Sequence, residues 1–222
     1  IYMKKRISFF TIITFLYLGF SAYAQKSGGT LDYLVQPEPP SMASYISTSG
    51  PIGLVAPKIY EGLFDYDNDG KIIYVLAESH SVSSDGKTVT FKLRKGVKWH
   101  DGKSFTSDDV AFTVMNVLKK FHPRGPNSFR EVTSIDTPDS HTAIFNLRNP
   151  APYMLRALSA YESPIVPKHL LEGTDIKSAK LGNNPVGTGP FKFVEWKKGQ
   201  YVRLDKNKNY WRPGLPLSLI HI

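Results

Sequence analysis

Cysteine is absent from all 222 residues of the chain. That excludes disulfide stapling and a lipid anchor attached through a cysteine thiol, so two-chain lipid anchoring is ruled out as well. No G-x-S-x-G elbow occurs, which removes the usual signature of a serine hydrolase. No H-x-x-x-H pair occurs either; His80, His100, His122, His141 and His169 are scattered, with no carboxylate at ligand spacing on one helix face. Internal repeats, low-complexity tracts and heptads are missing. Past residue 24 there is no apolar run long enough to span a bilayer. These gaps leave an exported or soluble binding module with no predicted metal or other cofactor, and they argue against an enzyme.

The first residues carry an address. Lys4, Lys5 and Arg6 form a basic start after Met3, Ile7 to Phe20 are almost wholly apolar, and Ala22-Tyr23-Ala24 is a small-x-small cleavage site before Gln25. This is the three-part pattern of a secretory signal over residues 3–24. With no cysteine to hold a lipid, a free exported protein is expected in the periplasm of a two-membrane bacterium. The whole chain has 28 basic and 19 acidic residues, and loss of the three N-terminal charges lowers the balance from +9 to +6. The remaining lysines are spread singly or in pairs, which predicts a solvated surface and no nucleic-acid partner.

Patterning then predicts mixed elements. Thr30 to Val35 reads as a strand, and 36–53, rich in Pro, Ser and Gly, as a loop. Ile59 to Phe64 closes a short helix before a hairpin at Asp67-Asn68-Asp69-Gly70. That hairpin imitates the opening of a calcium loop, but Leu76 stands where the bidentate glutamate should be. Val89, Phe91 and Leu93 alternate with Thr90, Lys92 and Arg94, giving a strand with one apolar face. Asp101-Gly102 supplies a turn in which His100 and Asp101 are expected to bond locally. Thr106 is placed to cap a helix over 107–120, with Asp108 and Asp109 in its first turn. Residues 122–128 read as a loop, 132–136 and 142–147 as paired strands, 152–158 and 168–172 as helices, and 189–196 with 201–206 as a hairpin. Strands and helices without strict alternation predict an α+β or mixed α/β architecture.

The run Leu93 to Thr113, in the form LR-x-GV-x-x-HDG-x-x-FT-x-DDV-x-FT, resembles the signature of family 5 extracellular solute-binding proteins, the peptide-binding subunits of ABC importers. Tyr60-Glu61-Gly62-Leu63, Leu76-Ala77-Glu78-Ser79, Asn184 to Phe191 (NPVGTGPF) and Asn209-Tyr210-Trp211 extend the likeness over residues 29–216. The resemblance implies the first lobe of a two-lobe, type II-like periplasmic binding protein. Residues 25–58 and 164–216 would form the lobe core, with 59–163 as an inserted subdomain. A second lobe would lie beyond this chain, and 217–222, which depart from the family pattern, would be a non-native tail. The implied function is capture of an oligopeptide or dipeptide for a cognate ABC permease in the inner membrane, by a monomer that closes on its ligand. A nickel chelate, heme, opine or oligosaccharide is the alternative ligand within the same fold, and a secreted hydrolase or chaperone-like protein the alternative class.

Counting back from Glu61-Gly62-Leu63, the resemblance places Thr48, Ser49 and Gly50 against an extended peptide backbone. Hydroxyls and exposed amides there suit a ligand read through its main chain. Phe129, after the 122–128 loop, is a second candidate, for stacking on ligand. Glu38-Pro39 is expected to shape its loop more than to bind.

Overall fold

The computed structural model describes residues 28–216 and 219–221. The predicted signal segment lies outside them, as do residues 217, 218 and 222 of the predicted tail.

Two four-stranded sheets carry the fold. The first has the order β1 (Thr30–Asp32), β10 (Leu219–His221), β9 (Tyr201–Lys206), β8 (Phe191–Lys197). Its β1–β10 pairing is parallel and the rest antiparallel. The second, wholly antiparallel, has the order β4 (Ala77–Val82), β5 (Thr88–Leu93), β7 (Thr142–Leu147), β6 (Val132–Asp139). A small hairpin, β2 (Phe64–Tyr66) with β3 (Ile72–Tyr74), precedes the second sheet. The mixed α/β architecture expected from the sequence is therefore the one observed.

Alternation puts β5 at the centre of its sheet. Val89, Phe91 and Leu93 are buried while Lys92 faces solvent. The ring of Phe91 lies 4.9 Å from that of Phe145 on β7 and 5.6 Å from that of Phe64 on β2, joining hairpin and sheet in one apolar cluster. β4 has no such alternation. Its Glu78, Ser79, Ser81 and Val82 are all exposed, because it is an edge strand held by pairing with β5.

One long helical run crosses this sheet: α2 (Ser107–Phe112), a π-helical stretch (Thr113–Leu118) and α3 (Lys119–Phe121). The cap forms as the sequence predicts, but Asp109 does more than sit near a dipole. Its Oδ2 accepts from the Thr106 amide at 2.9 Å and from Trp99 Nε1 at 3.3 Å. Its Oδ1 accepts from the Lys168 amide at 2.9 Å, at the start of α6 (Lys168–Leu171), which follows α5 (Tyr153–Arg156) in the chain. Burial raises its pKa, against the pull of those three donors.

Two local expectations change. Residues 36–53 are not all loop, since α1 (Gly50–Val55) begins inside them and Ser44–Ile46 make a 3-10 turn. His100 does not bond locally: its amide donates to Gly187 O at 2.8 Å and its Nδ1 accepts from the Gly187 amide at 3.2 Å. Because Nδ1 accepts, Nε2 carries the proton and donates to Gly189 O at 2.9 Å. The HDG turn thus clamps the NPVGTGPF segment from almost ninety residues away. The glycines of that segment are there for contact. A Cβ on Gly187 would lie 1.9 Å from Ile59 O, and one on Gly189 2.6 Å from the same oxygen.

Candidate functional site

Three segments far apart in sequence meet beside α1. The first is the run Ser47 to Gly50 and the helix that follows it. Ser47, Thr48 and Ser49 are half-buried, and Gly50 is exposed. Ser47 Oγ accepts from the Ser49 amide at 3.2 Å, and Ser49 O accepts from Gly53 N at 3.0 Å, so the backbone here is fixed. Ser49 occupies the N-cap position, yet its hydroxyl makes no capping bond to the helix. A serine at that position ordinarily satisfies an orphan amide. Here its hydroxyl is left for another partner.

The second segment is the turn Ser159 to Ser163. It is pinned on both sides, by Phe64 N donating to Leu158 O at 3.1 Å and Ile165 N donating to Glu61 O at 2.9 Å. Gly62 permits this approach, since a Cβ on it would stand 2.4 Å from Leu158 O. At the crest of the turn Tyr161 is 46% exposed, although both flanks of the turn are rigid. Its ring lies on Gly53 of α1, where a Cβ would meet Cε2 at 2.4 Å.

The third segment is the turn at His122 to Gly125, ahead of α4 (Gly125–Ser128). His122 is buried, its Nδ1 accepts from the Arg124 amide at 3.3 Å, and its Nε2 has no partner among the described residues. Burial, with some help from the Arg124 charge, pushes its pKa down to about 4. Arg124 emerges above it, pairs with the Glu162 carboxylate and holds its guanidinium 5.8 Å from the centre of the Tyr161 ring. Arg124 and Tyr161 were not foreseen from the sequence. The only signals were an arginine in a Pro/Gly loop and an aromatic before Glu162, neither of which marks a site unaided.

Of the predicted residues, Thr48, Ser49 and Gly50 stand together at this surface. Phe129 does not join them. It is 1% exposed and packs inward behind α4, so its ring has no face open to a solute; from the same loop it is Arg124 that reaches the surface. Glu38 acts as its loop's anchor, accepting from Trp196 Nε1 at 2.7 Å and from the Gly199 amide at 3.0 Å. At Asp67-Asn68-Asp69-Gly70, Asp67 Oδ1 accepts from the Asp69 and Lys71 amides at 2.9 and 2.8 Å, which spends that carboxylate on the turn. Among the described residues no group of three or more His, Cys, Asp or Glu converges as a metal site.

Behind the surface, Glu61 locks three of the sequence motifs to one another. It is 5% exposed and accepts from Thr188 Oγ1 at 2.9 Å, Tyr210 Oη at 2.6 Å and Trp211 Nε1 at 3.0 Å. Burial raises its pKa, opposed by those donors. Arg94 lies over the Trp211 ring at 4.2 Å. So the segments that resemble YEGL, NPVGTGPF and NYW form one buried knot.

The model of the bacterial extracellular solute-binding proteins, family 5, matches residues 71–219, more than half of the chain. The chain belongs to that family. The glutathione-binding protein GsiB of Pectobacterium atrosepticum is 35% identical over 168 residues, covering 73% of this chain and 31% of GsiB. Among solved structures, the oligopeptide-binding protein AppA of Bacillus subtilis in complex with a nonapeptide superposes with a TM-score of 0.77 at 30% identity. That match covers 88% of this chain and 40% of AppA. NikZ of Campylobacter jejuni in complex with Ni(L-His) gives 0.75 at 29%, covering 87% of this chain and 38% of NikZ. The chain therefore spans about a third of the curated relatives it matches, and its fold is that of part of a periplasmic binding protein. Among the described residues no helix is long and apolar enough to cross a membrane.

Proposed function

We propose that this family 5 chain contributes one wall of the ligand cleft of a periplasmic binding protein that captures oligopeptides or dipeptides for an ABC permease. Family membership supports solute binding. The observation that carries the peptide reading is the fixed, partly exposed run Thr48-Ser49-Gly50, whose Ser49 hydroxyl is not spent on capping its helix. Hydroxyls held at fixed spacing can bond the main chain of a peptide whatever its side chains are. Closure of the protein on its ligand would follow from tighter binding to the closed state.

The named ligands of the relatives include glutathione, a nonapeptide and a nickel–histidine complex. Thermal unfolding of the intact gene product with each class of solute separates them. Defined di- to pentapeptides should raise the unfolding midpoint. A midpoint raised by sugars or metal chelates and untouched by peptides would defeat the peptide reading.

A further inference from the structure

We propose that Tyr161 is a specificity-determining residue of this site, its ring a platform for a planar or apolar side chain of the bound solute. The inference rests on the reading of Thr48 to Gly50 as solute-contacting, and it adds which side chains that solute should carry. The hydroxyls of Thr48 and Ser49 can hold a peptide through its main chain but cannot tell one peptide from another. One turn of α1 away, Tyr161 can.

Four observations converge on it. The ring is 46% exposed, although the turn beneath is pinned on both flanks by backbone hydrogen bonds. Gly53 has no side chain, and that lets the Cδ2–Cε2–Cζ edge of the ring come against α1, because a Cβ would stand 2.4 Å from Cε2. Arg124 is held beside the ring by Glu162, the residue next to Tyr161, so the guanidinium is oriented by the same turn. Leu54, the next residue along α1, is itself 43% exposed, so this stretch of the helix is open to solvent. A tyrosine fixed this way loses little conformational entropy when a ligand stacks on it, which is why such rings dominate many recognition surfaces. Glu162 neutralises Arg124, so the platform favours planar or apolar groups over a bare carboxylate.

The test uses the intact gene product and two peptide series of equal length, one with Phe, Tyr or Leu side chains and one with Gly and Ser. Tyr161→Ala should weaken the first series by about tenfold and the second by less than about twofold, the loss of one stacked contact. Tyr161→Phe, which keeps the ring, should restore most of the discrimination. Gly53→Ala, which leaves both Tyr161 and the peptide contacts chemically unchanged but displaces the ring, should shift preference in the same direction as Tyr161→Ala. An equal effect on both series, or none, would overturn the inference while leaving the peptide reading standing. Failure of every peptide to bind the unsubstituted protein would overturn both.

Discussion

His100 and His122 are imidazoles that the fold keeps neutral, the first because its Nδ1 must accept from Gly187, the second because its ring is buried beside Arg124. Each is pushed down to about 4 from an ordinary value of 6.5, chiefly by burial. As pH falls, the unfolded chain takes up these protons first. The stability they contribute is therefore complete above about pH 6.5 and is lost as pH falls toward 4. Carboxylates such as Asp101, held below the ordinary 3.8 by the His169 hydrogen bond and the Lys103 amide despite partial burial, contribute losses only below that window. Urea midpoints at pH 7.5 and 5.0 should differ markedly, and a His100→Gln variant should narrow the difference; a flat profile would contradict the neutral state assigned to these buried imidazoles. Glu61 makes the opposite case, a buried acceptor facing only donors. Glu61→Gln turns an amide nitrogen toward one of them and should cost about 2–4 kcal/mol in urea unfolding. Tyr210→Phe, which removes one donor of three, should cost about 1–2 kcal/mol. None of these partnerships was legible in the sequence. The HDG triplet announced a turn, but a partner almost ninety residues away leaves no local trace, and a glutamate between a tyrosine and a glycine looks like any surface acid.

Elements with a strong period were legible, and those held by neighbours were not. The apolar face of β5, the paired β6 and β7, the hairpin β8–β9 and the capped helix from Ser107 all follow from alternation, helical spacing or turn residues. β4 was missed because an edge strand with exposed Glu, Ser and Val has no apolar face to declare. α1 was missed because Gly50, Pro51 and Gly53 read as loop residues. Pro51 is tolerated at the helix start, and Gly53 is required by Tyr161. The π-helical stretch has no sequence signature either. Its first residue, Thr113, uses Oγ1 to accept from the Val166 amide at 3.1 Å, a partner 53 residues on. Glycine contacts offer an element-scale test. A Cβ on Gly125 would stand 1.9 Å from Leu118 O, so the turn that lifts Arg124 cannot close with alanine there. Gly125→Ala should lower stability by about 2 kcal/mol or more and loosen the Arg124 turn, read as a lower thermal midpoint together with faster amide exchange over 122–128. An unchanged midpoint and exchange pattern would mean that the turn is not held by this contact.

At the scale of the whole molecule, the described residues form part of a larger architecture. The chain covers 38% and 40% of the solved structures named above and 31% of GsiB. The family was legible from a run of about twenty residues whose strand, turn and helix hold the NPVGTGPF and α6 segments in place. The ligand was not legible, because the proposed main-chain recognition would leave only serines, threonines and glycines in the sequence, the same residues that ordinary loops contain. The surface at Thr48 to Gly50 would meet its solute together with whatever the remainder of the longer relatives supplies, so the 222-residue chain alone should bind peptides weakly or not at all. Submicromolar affinity of this chain by itself would contradict that division of the site. The central claim, that this surface touches the bound peptide, is tested most directly by calorimetric titration of a peptide into the intact gene product and its Ser49→Trp variant. Ser49 has an extended backbone and no capping bond to lose, so the fold should tolerate the larger ring. The account predicts at least about tenfold weaker binding with an unchanged melting temperature in the absence of peptide. Equal affinity in the two proteins would contradict it.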